Sequence, residues 1–114
     1  AGRIGGVLVQ VDLAHETTKH GAASDAVRRV VDAAVETPSV ELRGLMLVPP
    51  APERAEDSRP CFQRLRAVRD ELVAGGVPPD RLRDLSMGMS GDFEVAVEEG
   101  ATIVRVGSAI FGAR

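Results

Sequence analysis

Short apolar runs alternate with amphipathic stretches along the chain. The apolar runs are brief and rich in β-branched residues, which predicts buried strands over residues 7–13, 42–48, 84–89 and 102–106. Between them, apolar residues recur at spacings of three and four, which predicts helices over 24–37, 60–75 and about 92–99. Ser24 can cap the first helix and Pro38 ends it. The predicted order is β-α-β-α-β-α-β, followed by a helical turn over 108–111.

This order predicts an α/β fold with a parallel sheet, because strands that alternate with helices are joined by right-handed crossovers. A length of 114 residues suits one domain. Four β/α units form either a small open sheet or half of an eight-stranded (β/α) TIM-type barrel. Half a barrel leaves unpaired edge strands at both ends. If the chain is half a barrel, we expect that it is not a stable monomer when isolated and that it needs its missing half or a homodimer partner.

Composition narrows the classes of partner. The net charge is −3, so no strong field attracts nucleic acid or an anionic membrane, and Trp and Tyr are absent as base-stacking platforms. No apolar run approaches the roughly 20 residues that span a bilayer. Cys61 is the only cysteine, which fits a reducing compartment. We expect a cytoplasmic protein that binds neither nucleic acid nor membrane.

The third and fourth predicted strands end in glycines and hydroxyl side chains. Residues 86–92 read Ser-Met-Gly-Met-Ser-Gly-Asp, and residues 106–108 read Val-Gly-Ser. Glycine lets backbone N–H groups approach an anion, and barrels commonly bind phosphate in the loops after their last two strands. In the alternative interpretation, Ser90 and Ser108 only cap the helices that follow them. The sequence leaves both interpretations open.

Polar residues also interrupt the apolar strands. Arg105 would either donate to a ligand or pair with an acid such as Asp12. Gln10 and Asp12 share one face of the first strand, as in a wet barrel interior or a satisfied core network. The methionines of the strands would line a cavity or, more commonly, fill the core; they are Met46, Met87 and Met89.

Other reactive residue types carry less weight. His15 and His20 lack the companions of a metal site, and Lys19, the only lysine, is expected to be solvated or to contact an anion rather than to act as a catalyst. We expect Cys61 to behave as a small buried hydrophobe. The charged run over residues 53–59 predicts a solvated loop or a flexible flap.

Several of these segments resemble the pyridoxal phosphate homeostasis protein family. The similarity covers the whole chain and is carried by Leu42-Arg43-Gly44-Leu45-Met46, Leu85-Ser86-Met87-Gly88-Met89-Ser90 and Val104-Arg105-Val106-Gly107-Ser108-Ala109-Ile110-Phe111-Gly112, with Thr18-Lys19-His20-Gly21 similar to a family loop. The resemblance implies an eight-stranded barrel like the N-terminal domain of alanine racemase. Its members bind pyridoxal phosphate as a Schiff base and regulate or deliver the cofactor, without an established turnover.

The resemblance also implies roles for particular residues. Ser90, Gly107 and Ser108 would hold the phosphate, Arg105 would lie near the pyridine nitrogen, and Met89 would lie beside the ring or phosphate. The family's Schiff-base lysine belongs to an early strand that has no counterpart here. The chain therefore matches the C-terminal half of the family barrel, and no residue in it is expected to be catalytic.

An amino-acid racemase of the alanine racemase type is the alternative function. That reaction needs two bases on opposite faces of the substrate, one of them a tyrosine from a second domain in the known enzymes. This chain contains no tyrosine. A barrel that binds some other phosphorylated metabolite is a third possibility from fold alone.

Overall fold

A parallel three-stranded sheet with helices on one side forms the centre of the molecule. The computed structural model describes residues 5–11, 25–47, 54–89 and 91–104. The strands pair in the order β1-β2-β3, and all pairs are parallel. The elements are β1 Gly5–Gln10, α1 Asp25–Glu36, β2 Val40–Met46, α2 Arg59–Ala74, β3 Asp84–Ser86 and α3 Phe93–Glu98, with 3-10 turns at Ala55–Ser58 and Pro79–Leu82.

The predicted alternation of strands and helices and the parallel sheet are confirmed, with shifts at the element ends. β3 ends at Ser86 rather than at Met89, because the chain turns at Gly88, where φ is +102°. Of the predicted fourth strand, Ile103 forms an isolated parallel bridge to Ser86. Residues 105–114, with the predicted terminal helical turn, lie outside the described residues.

A bulge in β2 places its leucines in the core. Val7 pairs with Leu42 and the next residue of β1 pairs with Gly44, so Arg43 is an extra residue without a partner on β1. The extra residue explains why Leu42 and Leu45 are both fully buried although they are three positions apart. Apolar residues in the strands or directly after them join the two leucines in one cluster with the helices: Val11, Leu47, Leu85 and Met87, with Val7 and Val9 at its margin.

The opposite face of the sheet is open among the described residues. Gly6, Gln10, Glu41 and Arg43 are exposed, and Arg43 Nη2 lies 3.5 Å from a carboxylate oxygen of Glu41. The buried first strand that the sequence predicts is therefore found only in part: Val11 is buried and Val7, Leu8 and Val9 are half-buried, whereas Gln10 is exposed. Of the polar pair predicted on β1, Gln10 is exposed rather than part of a core network, and Asp12 lies outside the described residues.

Helix α2 supplies the largest buried side chain. Phe62 is fully buried, and the rest of its stripe follows at helical spacing: Leu65, Val68 and Leu72. Pro60 lies in the first turn, where its missing N–H leaves no helical bond unmade. An ion pair of 2.8 Å joins Arg28 of α1 to Glu71 of α2. Cys61 is half-buried and packs against the core, close to the expected behaviour.

The expectation of a solvated loop over residues 53–59 is met only in part: Arg54, Glu56 and Asp57 are exposed, but the segment is not an irregular loop. Ala55–Ser58 form a 3-10 turn, and α2 begins at Arg59. The charges of the segment pair with one another and with α3, which stabilises a regular conformation that a count of charged residues alone does not predict.

Candidate functional site

The carboxyl ends of β2 and β3 meet at one edge of the sheet. Because the strands are parallel, the segments that follow them leave the sheet on the same side. The Leu47 N–H donates to the Ser86 carbonyl at 2.9 Å, and the Met87 N–H donates to the Ile103 carbonyl at 3.1 Å. These bonds extend the pairing by one step beyond the strands. The loop that follows β3 therefore begins from a fixed backbone.

Gly88 turns this loop against α3. Its φ of +102° lies in a region that side chains other than glycine rarely adopt. A Cβ atom at this position would also lie 2.6 Å from the Cβ of Ala96 and 3.3 Å from a methyl carbon of Val104. Glycine is thus required here both by backbone conformation and by the close approach of the loop to α3.

Asp92 closes the same loop from its other end. The Asp92 side chain is buried, and its Oδ1 accepts the Met89 N–H at 2.7 Å. The Asp92 N–H in turn donates to the Met89 carbonyl at 3.1 Å, so two reciprocal bonds join residues 89 and 92. The Oδ2 atom accepts the hydroxyl of Ser58 at 2.7 Å. Both carboxylate oxygens therefore have donors inside the protein, and the side chain links the loop after β3 to the start of α2.

Arg59 joins the start of α2 to the end of α3. Its guanidinium lies 2.7 Å from Glu56, 2.6 Å from Glu98 and 2.6 Å from Glu99. The hydrogen bonds that Arg59 donates to these three carboxylates raise its pKa, and the bond to Glu56 lowers the pKa of Glu56. The cluster fixes the C-terminal end of α3, while Asp92 and Gly88 fix the loop before it.

The structure describes one of the five cofactor-binding residues that the sequence predicts. Met89 lies in the loop after β3 and is 43% exposed at the sheet edge. Ser90, Arg105, Gly107 and Ser108 lie outside the described residues, as do Lys19 and both histidines. Among the other methionines, Met87 is a core residue, as the commoner of the two interpretations has it, and Met46 is half-buried.

Sequence reasoning missed the pairing of Ser58 with Asp92. An aspartate directly before a helix is a known signal for binding backbone N–H groups, but the sequence does not show that this one turns back to Met89. Ser58 gave no signal, because it lies within a charged run that was interpreted as solvated.

Two other kinds of site are absent from the part of the chain that the structure describes. Within it, no group of three or more His, Cys, Asp and Glu side chains is placed to hold a metal ion. None of its helices is both long and apolar enough to cross a membrane.

Comparison with known proteins identifies relatives of this architecture. The family model described as "Alanine racemase, N-terminal domain" matches residues 1–114. The pyridoxal phosphate homeostasis protein of Aquifex aeolicus is 47% identical over 113 residues, covering 95% of this chain and 46% of the relative. The human protein of the same name is 40% identical over 111 residues, covering 95% of this chain and 40% of the relative. These matches confirm the resemblance that the motifs indicated.

A solved structure agrees with the sequence matches. PipY of Synechococcus elongatus, a COG0325 family member solved with PLP bound, superposes with a TM-score of 0.78 at 35% identity, covering 97% of this chain and 50% of PipY. The chain thus spans about half the length of the relatives it matches. A match along the whole chain together with this structural agreement shows that the chain belongs to the alanine racemase N-terminal domain family.

Proposed function

We propose that this chain supplies the phosphate side of a pyridoxal phosphate site, in a cytoplasmic protein of pyridoxal phosphate and amino-acid homeostasis. The observation that carries the proposal is the locked loop after β3, which presents Met89 at the carboxyl edge of a parallel sheet. Ligands of α/β proteins bind at this edge. The names of the relatives and the PLP held by PipY support the choice of ligand.

The described part of the loop is compatible with an anionic ligand. Asp92 is buried and both of its oxygens accept hydrogen bonds from within the protein, so neither oxygen is presented at the surface of the loop. On this proposal Met89 contacts the ring or phosphate, Ser90, Gly107 and Ser108 bind the phosphate, and Arg105 approaches the ring nitrogen. Bound pyridoxal phosphate would supply an aldehyde that reacts with an amine, and the family's lysine for this bond has no counterpart in the chain.

We also propose that the sheet is half of a TIM-type barrel. The open face carries exposed polar residues next to the half-buried Met46, and the relatives are about twice as long as this chain. An N-terminal half-barrel, or a second copy of the chain, would cover this face. Sedimentation of the 114-residue polypeptide should show association or aggregation, and a cooperatively folded monomer would contradict this part of the proposal.

Spectroscopy and peptide mapping test the ligand. Pyridoxal phosphate added to the protein that contains both barrel halves should change its visible absorption, and borohydride should then fix the cofactor on a lysine. We expect the modified peptide to lie outside residues 1–114 and Lys19 to remain unmodified. Failure to bind, or modification at Lys19, would refute the proposal. Alanine racemisation measured on the same sample should show no turnover; clear turnover would support the racemase alternative instead.

A further inference from the structure

We infer that Asp92 and Ser58 are positioning residues for the phosphate of the bound ligand, an inference that rests on the proposed function. Neither residue is a predicted ligand contact. Asp92 holds the loop that leads into Ser90, and Ser58 holds Asp92. The start of α2 would in this way set the conformation of the loop after β3, although 34 positions separate Ser58 from Asp92.

The bonds of this pair have the geometry of strong hydrogen bonds. Both contacts of the Asp92 carboxylate measure 2.7 Å, within the range of charge-assisted bonds. Asp92 and Ser58 are each only 3% exposed. Water therefore competes poorly for either contact, and the carboxylate has little freedom to leave these two donors.

The two side chains are committed to each other rather than to their own helices. Ser58 occupies the N-cap position of α2 and Asp92 that of α3, and neither makes a side-chain capping bond. Serine and aspartate at this position usually accept a hydrogen bond from the first turn of their helix. Here the Ser58 hydroxyl donates to Asp92, and Asp92 accepts from Met89 instead. This arrangement stabilises the loop at the expense of both caps.

Removal of the Asp92 carboxylate should therefore weaken the binding of the ligand's phosphate group selectively. In Asp92→Ala the Met89 N–H loses its acceptor, and the loop before Ser90 loses the bond that defines its shape. In Asp92→Asn the side-chain carbonyl still accepts from Met89, and the amide donates to the Ser58 hydroxyl oxygen. A positioning role predicts that the asparagine variant retains the affinity that the alanine variant loses. If only the charge of Asp92 mattered, both variants would lose the same affinity.

The experiment compares pyridoxal phosphate with pyridoxal, which lacks the phosphate. Dissociation constants are measured by absorbance titration for the wild type and four variants of the protein that contains both barrel halves: Asp92→Ala, Asp92→Asn, Ser58→Ala and Glu94→Ala. We expect pyridoxal phosphate to bind about tenfold more weakly to Asp92→Ala and about threefold more weakly to Ser58→Ala, from the loss of one or two hydrogen bonds. Pyridoxal affinity should not change. Glu94 is an exposed carboxylate of α3, so its variant is the matched control and should bind both ligands normally.

A second measurement is independent of the ligand. The Met89 amide proton should resonate downfield in the wild type and in Asp92→Asn, and should move upfield in Asp92→Ala. If Asp92→Ala does not fold, Ser58→Ala and Asp92→Asn decide the question through the same titrations.

The outcomes separate the inference from the proposed function. A wild type that does not bind pyridoxal phosphate overturns the proposed function, and the inference with it. A wild type that binds, together with unchanged affinities in Asp92→Ala and Ser58→Ala, overturns the inference alone. Equal weakening of pyridoxal and pyridoxal phosphate, or equal effects of Asp92→Ala and Asp92→Asn, also overturns it.

Discussion

Substitution of Gly44 by alanine should separate β3 from β2. Gly44 is buried and pairs with Asp84, and an added Cβ would lie 1.7 Å from the Asp84 carbonyl oxygen. Real Cβ atoms stay at least 3.0 Å from such neighbours, so the contact falls short by about 1.3 Å. The obstacle is backbone on a paired strand, which no change of rotamer can remove.

The size of the effect follows from the shortness of β3. The strand pairs with β2 over three residues, so a shift of this size affects the whole ladder. At about 1 kcal/mol for each hydrogen bond, loss of two or three bonds lowers the free energy of unfolding by about 2–3 kcal/mol. Leu45 and Leu85, both fully buried register partners, would also lose contact, which adds to this loss. For comparison, the total free energy of unfolding of a native protein is about 5–15 kcal/mol.

Urea unfolding of the protein that contains both barrel halves, followed by circular dichroism at one protein concentration, measures the effect. Gly6→Ala is the matched control, because its Cβ would approach the Arg43 side chain at 2.8 Å, and that exposed side chain can move. We expect the control to change stability by no more than about 0.5 kcal/mol. Equal midpoints for Gly44→Ala and the wild type would refute the assigned register of β2 and β3.

Three further predictions address the loop, the core and the Arg59 cluster. Gly88→Ala should lower the free energy of unfolding in urea by about 2 kcal/mol or more, because of the positive φ and the contact with α3. Gly91→Ala is the control and should be nearly neutral, because the space around its Cβ is open. Phe62→Ala should cost about 3–5 kcal/mol in the same assay, because a fully buried ring leaves a cavity; a loss below about 1 kcal/mol would contradict its place in the core. The pKa of Glu56 is lowered from its ordinary value of 4.5 by the bond with Arg59. The pairing therefore stabilises the folded state at pH values above 4.5, and this stabilisation is lost as the pH falls through the lowered pKa. The difference in urea midpoint between the wild type and Arg59→Gln should therefore narrow between about pH 5 and pH 3, and a constant difference would contradict the pairing.

Periodicity was sufficient for the parts of the fold that local sequence controls. The apolar stripe of α2 and its proline in the first turn predicted that helix to within a residue or two at each end. The alternation of strands and helices predicted the parallel sheet, because chain topology leaves few other arrangements. The glycine-rich end of β3 could also be predicted, because turns from strand to helix depend on residue types that are easily recognised in a sequence.

Contacts between distant residues could not be predicted in this way. The bulge at Arg43 depends on the register with β1, and sequence alternation alone does not contain that register. Ser58 and Arg59 looked like members of a solvated charged run, yet both also have partners 34 to 40 positions away, within α3 or directly beside its ends. A charged residue is solvated or paired according to what the fold brings beside it, and a single sequence does not supply that information.

The loop after β3 and the open face of the sheet differ in whether they need a partner. The loop after β3 is held by Ser58 at the start of α2, by Ala96 of α3 and by the bond between Leu47 and Ser86. All of these belong to this chain, so the conformation of the loop does not require a partner. The open face has exposed polar residues and no covering element among the described residues. On the proposed function, the second half of the barrel would thus be needed to cover this face and to supply the lysine, whereas the contacts that hold the loop after β3 come from residues of this chain, Leu47, Ser58 and Ala96.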